Sequence, residues 1–256
     1  MPMKPVCMVI GAGAGIGGHV AKRFAAEGYH VVLCRRSNVE GLESLVNDIE
    51  RDGGSANGYL LDASQDNAIE TRIAQVEAEI GPIEVLLYNL GAQIGDRPLE
   101  QTSYKAFELG WRLATFGLFR AASAVCPQMA SRGKGVILVT SATAAMRGNA
   151  GQHSHAAAMG GRRLLCQSLN AEYARQGIHV VHVLIDGAVD APDTLGKMLG
   201  AEVFEQLRAK HGGDNDGLLL PEKIADTYFH VAQQHRSAWT HELDLRAHTD
   251  LAWWNH

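Results

Sequence analysis

The residues with the clearest chemical consequence are glycines. Gly11-Ala12-Gly13-Ala14-Gly15-Ile16-Gly17 lies between a short β-branched run and a segment of helical period. A strand-to-helix turn of this kind needs backbone conformations open to glycine and a close approach of main chain to a phosphate. The free N–H groups and positive dipole end of the following helix then face that anion. A tight turn with no ligand is the alternative, and the end of the second strand bears on the choice. This second β-branched run ends at Cys34, and Arg35 and Arg36 come next where a ribose-binding Asp or Glu would stand. Two guanidinium groups suit a 2′-phosphate, which points to NADP rather than NAD, unless they are simply a solvated basic loop. Asp62, after the third run, is placed to meet an adenine amino group or to cap the next helix, for which Ser64 is the better candidate.

These groups need a scaffold that brings the ends of several strands together. Short β-branched runs at 6–10, 30–34, 56–60, 84–88, 136–141, 179–185 and 239–245 alternate with helical periodicity at 16–27, 39–52, 67–80, 103–131, 155–176 and 221–234. That alternation predicts an α/β fold, a Rossmann-like doubly wound parallel sheet of about seven strands flanked by helices. Glycines close several helices, and Pro221 suits a first turn. With no repeat or linker, one domain over 1–256 is expected, with 188–217 as a loop or lid with one or two short helices over the site and 237–256 as last strand and tail.

Composition narrows the partners. The 256 residues are 46% hydrophobic, with 23 Lys+Arg against 28 Asp+Glu, a balance without the basic surplus that nucleic-acid binding draws on. Nucleic acid is therefore excluded as an expected partner. No apolar stretch reaches membrane-spanning length, and the N-terminal run is too short for a signal peptide, so a soluble cytoplasmic protein is expected. Cys7, Cys34, Cys126 and Cys166 are spread through apolar surroundings and read as buried thiols. His153 and His155 form an H-x-H pair, but two residues apart on a helix they diverge by about 200°. No metal site is expected.

The chain resembles the short-chain dehydrogenase/reductase superfamily from about Lys4 to Arg246. The stretch from Ile10 to Gly17 is similar to its T-G-x-x-x-G-x-G motif, with Ile for Thr; Tyr88-Asn89-Leu90-Gly91 is similar to N-N-A-G; and Asp186-Gly187 is similar to P-G. The resemblance implies an NADP site lined by Gly11, Gly15, Ile16, Gly17, Arg35, Arg36, Asp62, Ala63, Asn89, Gly91, Gly187 and Val189. It also implies a small carbonyl or alcohol substrate, taken up by segments 93–99, 144–154 and 188–217, where Met146, Arg147 and His153 hint at some polarity.

The family's catalytic tyrosine, its lysine four residues on, its serine and its helix asparagine map onto His155, Met159, Ala142 and Ala114. Ser141 or Thr143 would replace the serine if the loop shifts by one residue. Three readings stay open. In the first, hydride chemistry is kept and His155 is the acid/base, since imidazole titrates at about 6.5 without the nearby cation that a phenol at about 10 needs. Met159 then avoids repelling a protonated histidine, although it forfeits a ribose contact worth about 1.5–3 kcal/mol. Imidazole is also roughly 2 Å shorter than a phenol, so substrate must come closer. The second is an NADP-binding sensor or inactive partner subunit; the third is a lyase, isomerase or hydrolase with His155 as base.

Two glycines inside a helix, Gly160-Gly161, cost roughly 1 kcal/mol each and so imply close helix packing. In the family, the helices matching 103–131 and 155–176 meet between subunits, which implies a homodimer or homotetramer. Trp253-Trp254 are expected to pack on a neighbour or lid.

Overall fold

The computed structural model describes residues 4–91 and 97–255. Seven parallel strands form one sheet: β1 (Val6–Ile10), β2 (His30–Arg35), β3 (Ser55–Leu60), β4 (Ile83–Tyr88), β5 (Gly135–Ala142), β6 (Ile178–Ile185) and β7 (Glu242–Leu245), in the order β3-β2-β1-β4-β5-β6-β7. The chain leaves β1 toward β2 and β3 on one side and continues at β4 on the other. Loops at the carboxyl ends of β1 and β4 therefore diverge, and the crevice between them is where doubly wound sheets take ligands.

Every residue of β1 is buried, as a central parallel strand covered on both faces requires. On one face pack α1 (Ile16–Ala26), α2 (Val39–Arg51) and a C-terminal helix over Pro221–Ala232, around Val20, Phe24, Leu42, Ile49, Ile224 and Tyr228. In α2, Leu42, Leu45 and Ile49 make the inward stripe, and the Asn38 side chain accepts the Gly41 N–H at 2.9 Å to start the helix. The other face carries α3 (Ala68–Glu79), α4 (Tyr104–Trp111), α5 (Gly117–Arg132) and α6 (His153–Tyr173). Between β6 and the last helix lie α7 (Lys197–Leu199) and α8 (Ala201–His211), and the Pro221–Ala232 helix is α9. The segment 188–217, expected as a loop with one or two short helices, carries α7 and α8.

Three local expectations are corrected. The helix expected over 103–131 is interrupted by a wide π turn at Arg112–Phe116. It frees the carbonyls of Leu113 and Ala114, which accept hydrogen bonds from the Tyr88 hydroxyl and from Arg162. The last strand begins at Glu242 and not 239, because Trp239 stacks on His179 with ring centroids 4.7 Å apart and the Gln234 side chain takes the Thr240 N–H. Ser64 caps no helix; it donates to Asp62, and α3 starts after Asn67, three residues later.

Candidate active site

The glycine loop contains two kinds of glycine. At Gly11, φ is +101°, and a Cβ would sit 2.9 Å from the Asn89 carbonyl. At Gly17 a Cβ would sit 2.2 Å from the Gly11 carbonyl oxygen. Both are fixed by the chain's own packing, in which Asn89 Nδ2 donates to Gly11 O at 3.0 Å and ties β4 to the loop. Gly13 and Gly91 differ: a Cβ at either meets nothing within 4 Å and would project into open space.

That space is a cleft of about 370 Å³. Its wall brings together Gly11, Gly15, Ile16, Gly17, Arg35, Arg36, Asp62, Ala63, Asn89 and Gly91. Gly187 and Val189 are not on it. Val189 pairs with Leu219, and Gly187 faces Asp250, whose Oδ2 lies 3.0 Å from where its Cβ would be. Sequence reasoning missed Gly13, Leu90, Leu113 and Thr194 on the same wall. Gly13 was visible as part of the motif, but Thr194 comes from the 188–217 segment, where only the chain's return path brings it within 3.4 Å of a Cβ at Gly15.

The cleft's charges are sorted by partner. Nearby Lys22 is matched to Asp48 at 2.8 Å and Lys197 to Asp193 at 3.1 Å, whereas among the described residues no carboxylate pairs with Arg35 or Arg36. Asp62 Oδ1 accepts from the Ser64 hydroxyl at 2.7 Å and the Ser64 N–H at 3.0 Å, and these bonds hold its carboxyl below the usual range. One face of Asp62 is thereby fixed in a turn at the cleft edge.

Three of the four positions that the resemblance maps onto the tetrad, Ala114, Ala142 and Met159, come together in an apolar cluster. Ala114 and Met159 pack with Ala144 and Ala158, and Ala142 borders the same cluster. Ser141 is 5% exposed and directs its hydroxyl at Met159 Sδ, 3.8 Å away. It is therefore a buried contact and not part of the cleft wall. His155 is half-buried in the first turn of α6, one turn before Met159 on the same helix face. Thr143 begins a short 3-10 turn after β5, and its carbonyl accepts the Met146 N–H.

The inward stripe of α6 also carries a charge that sequence reasoning missed. Arg162 is 1% exposed, and among the described residues its guanidinium donates only to main-chain carbonyls. A fully buried arginine has no periodic signature, since its position matches that of any core residue on the stripe.

Around the opening, Asp186 Oδ2 accepts from Arg246 Nη1 at 2.9 Å and from the Trp253 N–H at 3.1 Å, and Arg147 Nη1 donates to Trp253 O at 2.8 Å. The tail expected to reach a neighbour or lid is thus anchored to its own chain at Trp253, with Trp254 packed edge-on against it. Gly161 likewise serves a contact within the chain, since a Cβ there would meet Thr115 at 3.2 Å, while Gly160 faces open space. Residues 93–96 of the expected pocket lie outside the described residues. Among those described, no group of three His, Cys, Asp or Glu is arranged to hold a metal, and no helix is long and apolar enough to cross a membrane.

A diverging β1/β4 crevice with this glycine loop is matched by sequence as well as geometry: the short chain dehydrogenase family pattern covers residues 5–195. The chain belongs to the short-chain dehydrogenase/reductase family. The chain is 31% identical over 243 residues to the short-chain reductase protein NovJ of Streptomyces niveus, covering 90% of this chain and 87% of that one. A short-chain dehydrogenase crystal structure from Rhodopseudomonas palustris superposes with a TM-score of 0.79 at 32% identity, covering 96% of this chain and 99% of that one. A metagenomic short-chain oxidoreductase solved in complex with NADP shares the fold, with a TM-score of 0.78 at 22% identity and 97% and 99% coverage.

Proposed function

We propose that this protein is an NADP(H)-dependent oxidoreductase acting on a small carbonyl or alcohol, with His155 as the group that gives or takes the substrate proton. The observation that carries the reading is the cleft in which the glycine loop, Asp62, Asn89 and two guanidinium groups, without carboxylate partners among the described residues, converge. Gly13 and Gly91 leave the room that a nucleotide backbone needs, and Arg35 and Arg36 offer charge-assisted bonds to a 2′-phosphate. A nicotinamide nucleotide in this cleft supplies or accepts the hydride. The chain's own residues then bind its phosphates, orient it through Asn89 and the loop, and hold a proton on the His155 imidazole. Gly187 and Val189 belong to this proposal only as supports of the adjoining loop. Ser141 would need to turn away from Met159 to reach substrate.

A second reading, binding of NADP without hydride transfer in a sensor or inactive partner subunit, is favoured by one observation. Ala114, Ala142 and Met159 fill the tetrad region with apolar contacts. Assembly as a homo-oligomer is proposed from the exposed aromatic and aliphatic side chains of Tyr104, Phe107, Trp111, Phe119 and Leu164 on α4, α5 and α6.

Titration with NADPH and NADH, followed by a carbonyl and alcohol turnover screen, tests the proposal. Tight NADPH binding with turnover that is abolished in His155→Ala supports it. NADPH binding with no turnover selects the second reading, and failure of both nucleotides to bind overturns both.

A further inference from the structure

Arg162 sits behind the cleft wall, and among the described residues no counter-ion meets its charge. Its Nε and Nη2 donate to Ala114 O at 3.0 and 2.9 Å, Nη2 also donates to Leu90 O at 2.6 Å, and Nη1 donates to Thr140 O. The three acceptors belong to the end of the β4 motif, the π turn and the end of β5. The groups facing the guanidinium are neutral. Tyr88 lies with its ring centroid 5.4 Å away, and burial pushes the hydroxyls of Tyr88 and Tyr228 up and the Cys166 thiol up to about 12. Burial also lowers His182 to about 4, so it too is uncharged near neutrality. Among the described residues no carboxylate contacts Arg162, and arginine does not give up its proton in proteins.

Such a charge is costly to bury, and carbonyl dipoles alone solvate it. Tying three segments together accounts for the hydrogen bonds but not for the need of a net charge. What the charge does depends on the other side of the wall. Leu90 lines the cleft, and so does Leu113, whose neighbour Ala114 accepts two of the bonds. Leu90 follows β4, on the opposite side of β1 from Arg35 and Arg36 at the end of β2. A dinucleotide with its 2′-phosphate on those arginines would extend its other base toward Leu90, beside the Arg162 charge.

We propose that Arg162 makes the cleft select the reduced over the oxidised nicotinamide nucleotide, because its fixed charge opposes a cationic pyridinium ring and leaves a neutral dihydropyridine ring unaffected. The inference rests on the NADP(H) reading of the cleft. No bond is made or broken: Arg162 is a positioning and charge-setting residue, and the readout is a ratio of two affinities. Contacts to phosphates and to the adenosine half are common to both forms and cancel in that ratio. Two unit charges roughly 10 Å apart in a medium of effective dielectric constant about 20 interact by about tenfold in Kd.

The test is titration of the wild-type protein and of Arg162→Met and Arg162→Lys with NADPH and, by competition, with NADP⁺. The wild type is expected to bind NADPH about tenfold more tightly. The preference should persist from low to high salt, since a buried charge escapes ionic screening. Arg162→Lys should keep the preference, and Arg162→Met should lose most of it while binding NADPH. Equal affinity for the two forms in the wild type, a preference that collapses with salt, or an unchanged ratio in folded Arg162→Met would each overturn the inference and leave the cofactor reading intact. The two wild-type outcomes decide the matter even where Arg162→Met fails to fold. Wild-type protein that binds neither nucleotide would instead overturn the cofactor reading and this inference with it.

Discussion

Replacing Gly13 and Gly17 separately by alanine should divide the glycine loop into a ligand-facing half and a packing half. At Gly17 the new methyl would lie 2.2 Å from Gly11 O and 2.9 Å from Asn89 Nδ2, both held by the sheet, so neither can withdraw without unmaking the β1–β4 crevice. Overpacking of this severity costs about 3 kcal/mol. For a chain of this length that corresponds to a fall in Tm of roughly 6–12 °C. At Gly13 the methyl meets no atom within 4 Å, and the residue is not among the positive-φ glycines, so stability should change by less than about 0.5 kcal/mol. The same methyl would stand in the cleft, where backbone must approach phosphate, and NADPH affinity should fall at least about tenfold. Thermal melts of both variants with and without NADPH, alongside direct titrations, measure the two effects. The reasoning is refuted if Gly13→Ala melts as low as Gly17→Ala, or if it binds NADPH as the wild type does.

Other perturbations probe different links in the chain of cause. The double substitution Arg35→Ser/Arg36→Ser removes both guanidinium groups from the cleft wall and should weaken NADPH at least about tenfold while leaving NADH within about twofold; equal losses in two parallel titrations would remove the 2′-phosphate assignment. His182 has a fully buried side chain and is lowered from 6.5 to about 4, so the unfolded chain binds its proton first. Its contribution to stability is then full above about pH 6.5 and falls as pH drops toward 4, by about 1 kcal/mol between pH 7 and 5.5; burial lowers His179 as well, so denaturant titrations should find the slope reduced by this amount in His182→Leu. All four cysteines are buried, with Cys34, Cys126 and Cys166 pushed up to about 12 by desolvation and Cys7 raised further. A thiol reagent should therefore react with none in the native protein and with all four after denaturation, and fast labelling of the folded state would contradict the burial.

The cofactor side of the site was far more legible in the sequence than the catalytic side. Ten residues expected around a nucleotide do line one cleft, because each sits at the carboxyl end of a strand or in the turn and first helical residues that follow it, and parallel strands in one sheet must end on the same edge. Gly187 and Val189 follow β6, farther from the β1/β4 switch, and their neighbours turn them toward Asp250 and Leu219. Ser141 was placed correctly at the end of β5, but which face its hydroxyl takes depended on Met159 filling the space beside it.

By itself the amino-acid order determined the alternation of strand and helix, the covering of both sheet faces and the position of the glycine loop. These follow from local periodicity and from glycines whose spacing reports backbone geometry. Only the tertiary structure decided which glycines pack and which open onto the cleft, since that depends on atoms such as Asn89 O, distant along the chain. It also decided that the central helix would widen at Arg112–Phe116 and that Arg162, indistinguishable by spacing from a core residue of α6, would take up the carbonyls this exposes. A hydrogen-bond donor and an acceptor 48 residues apart leave no mark on either segment alone. Their need for each other exists only once the fold has removed water from both.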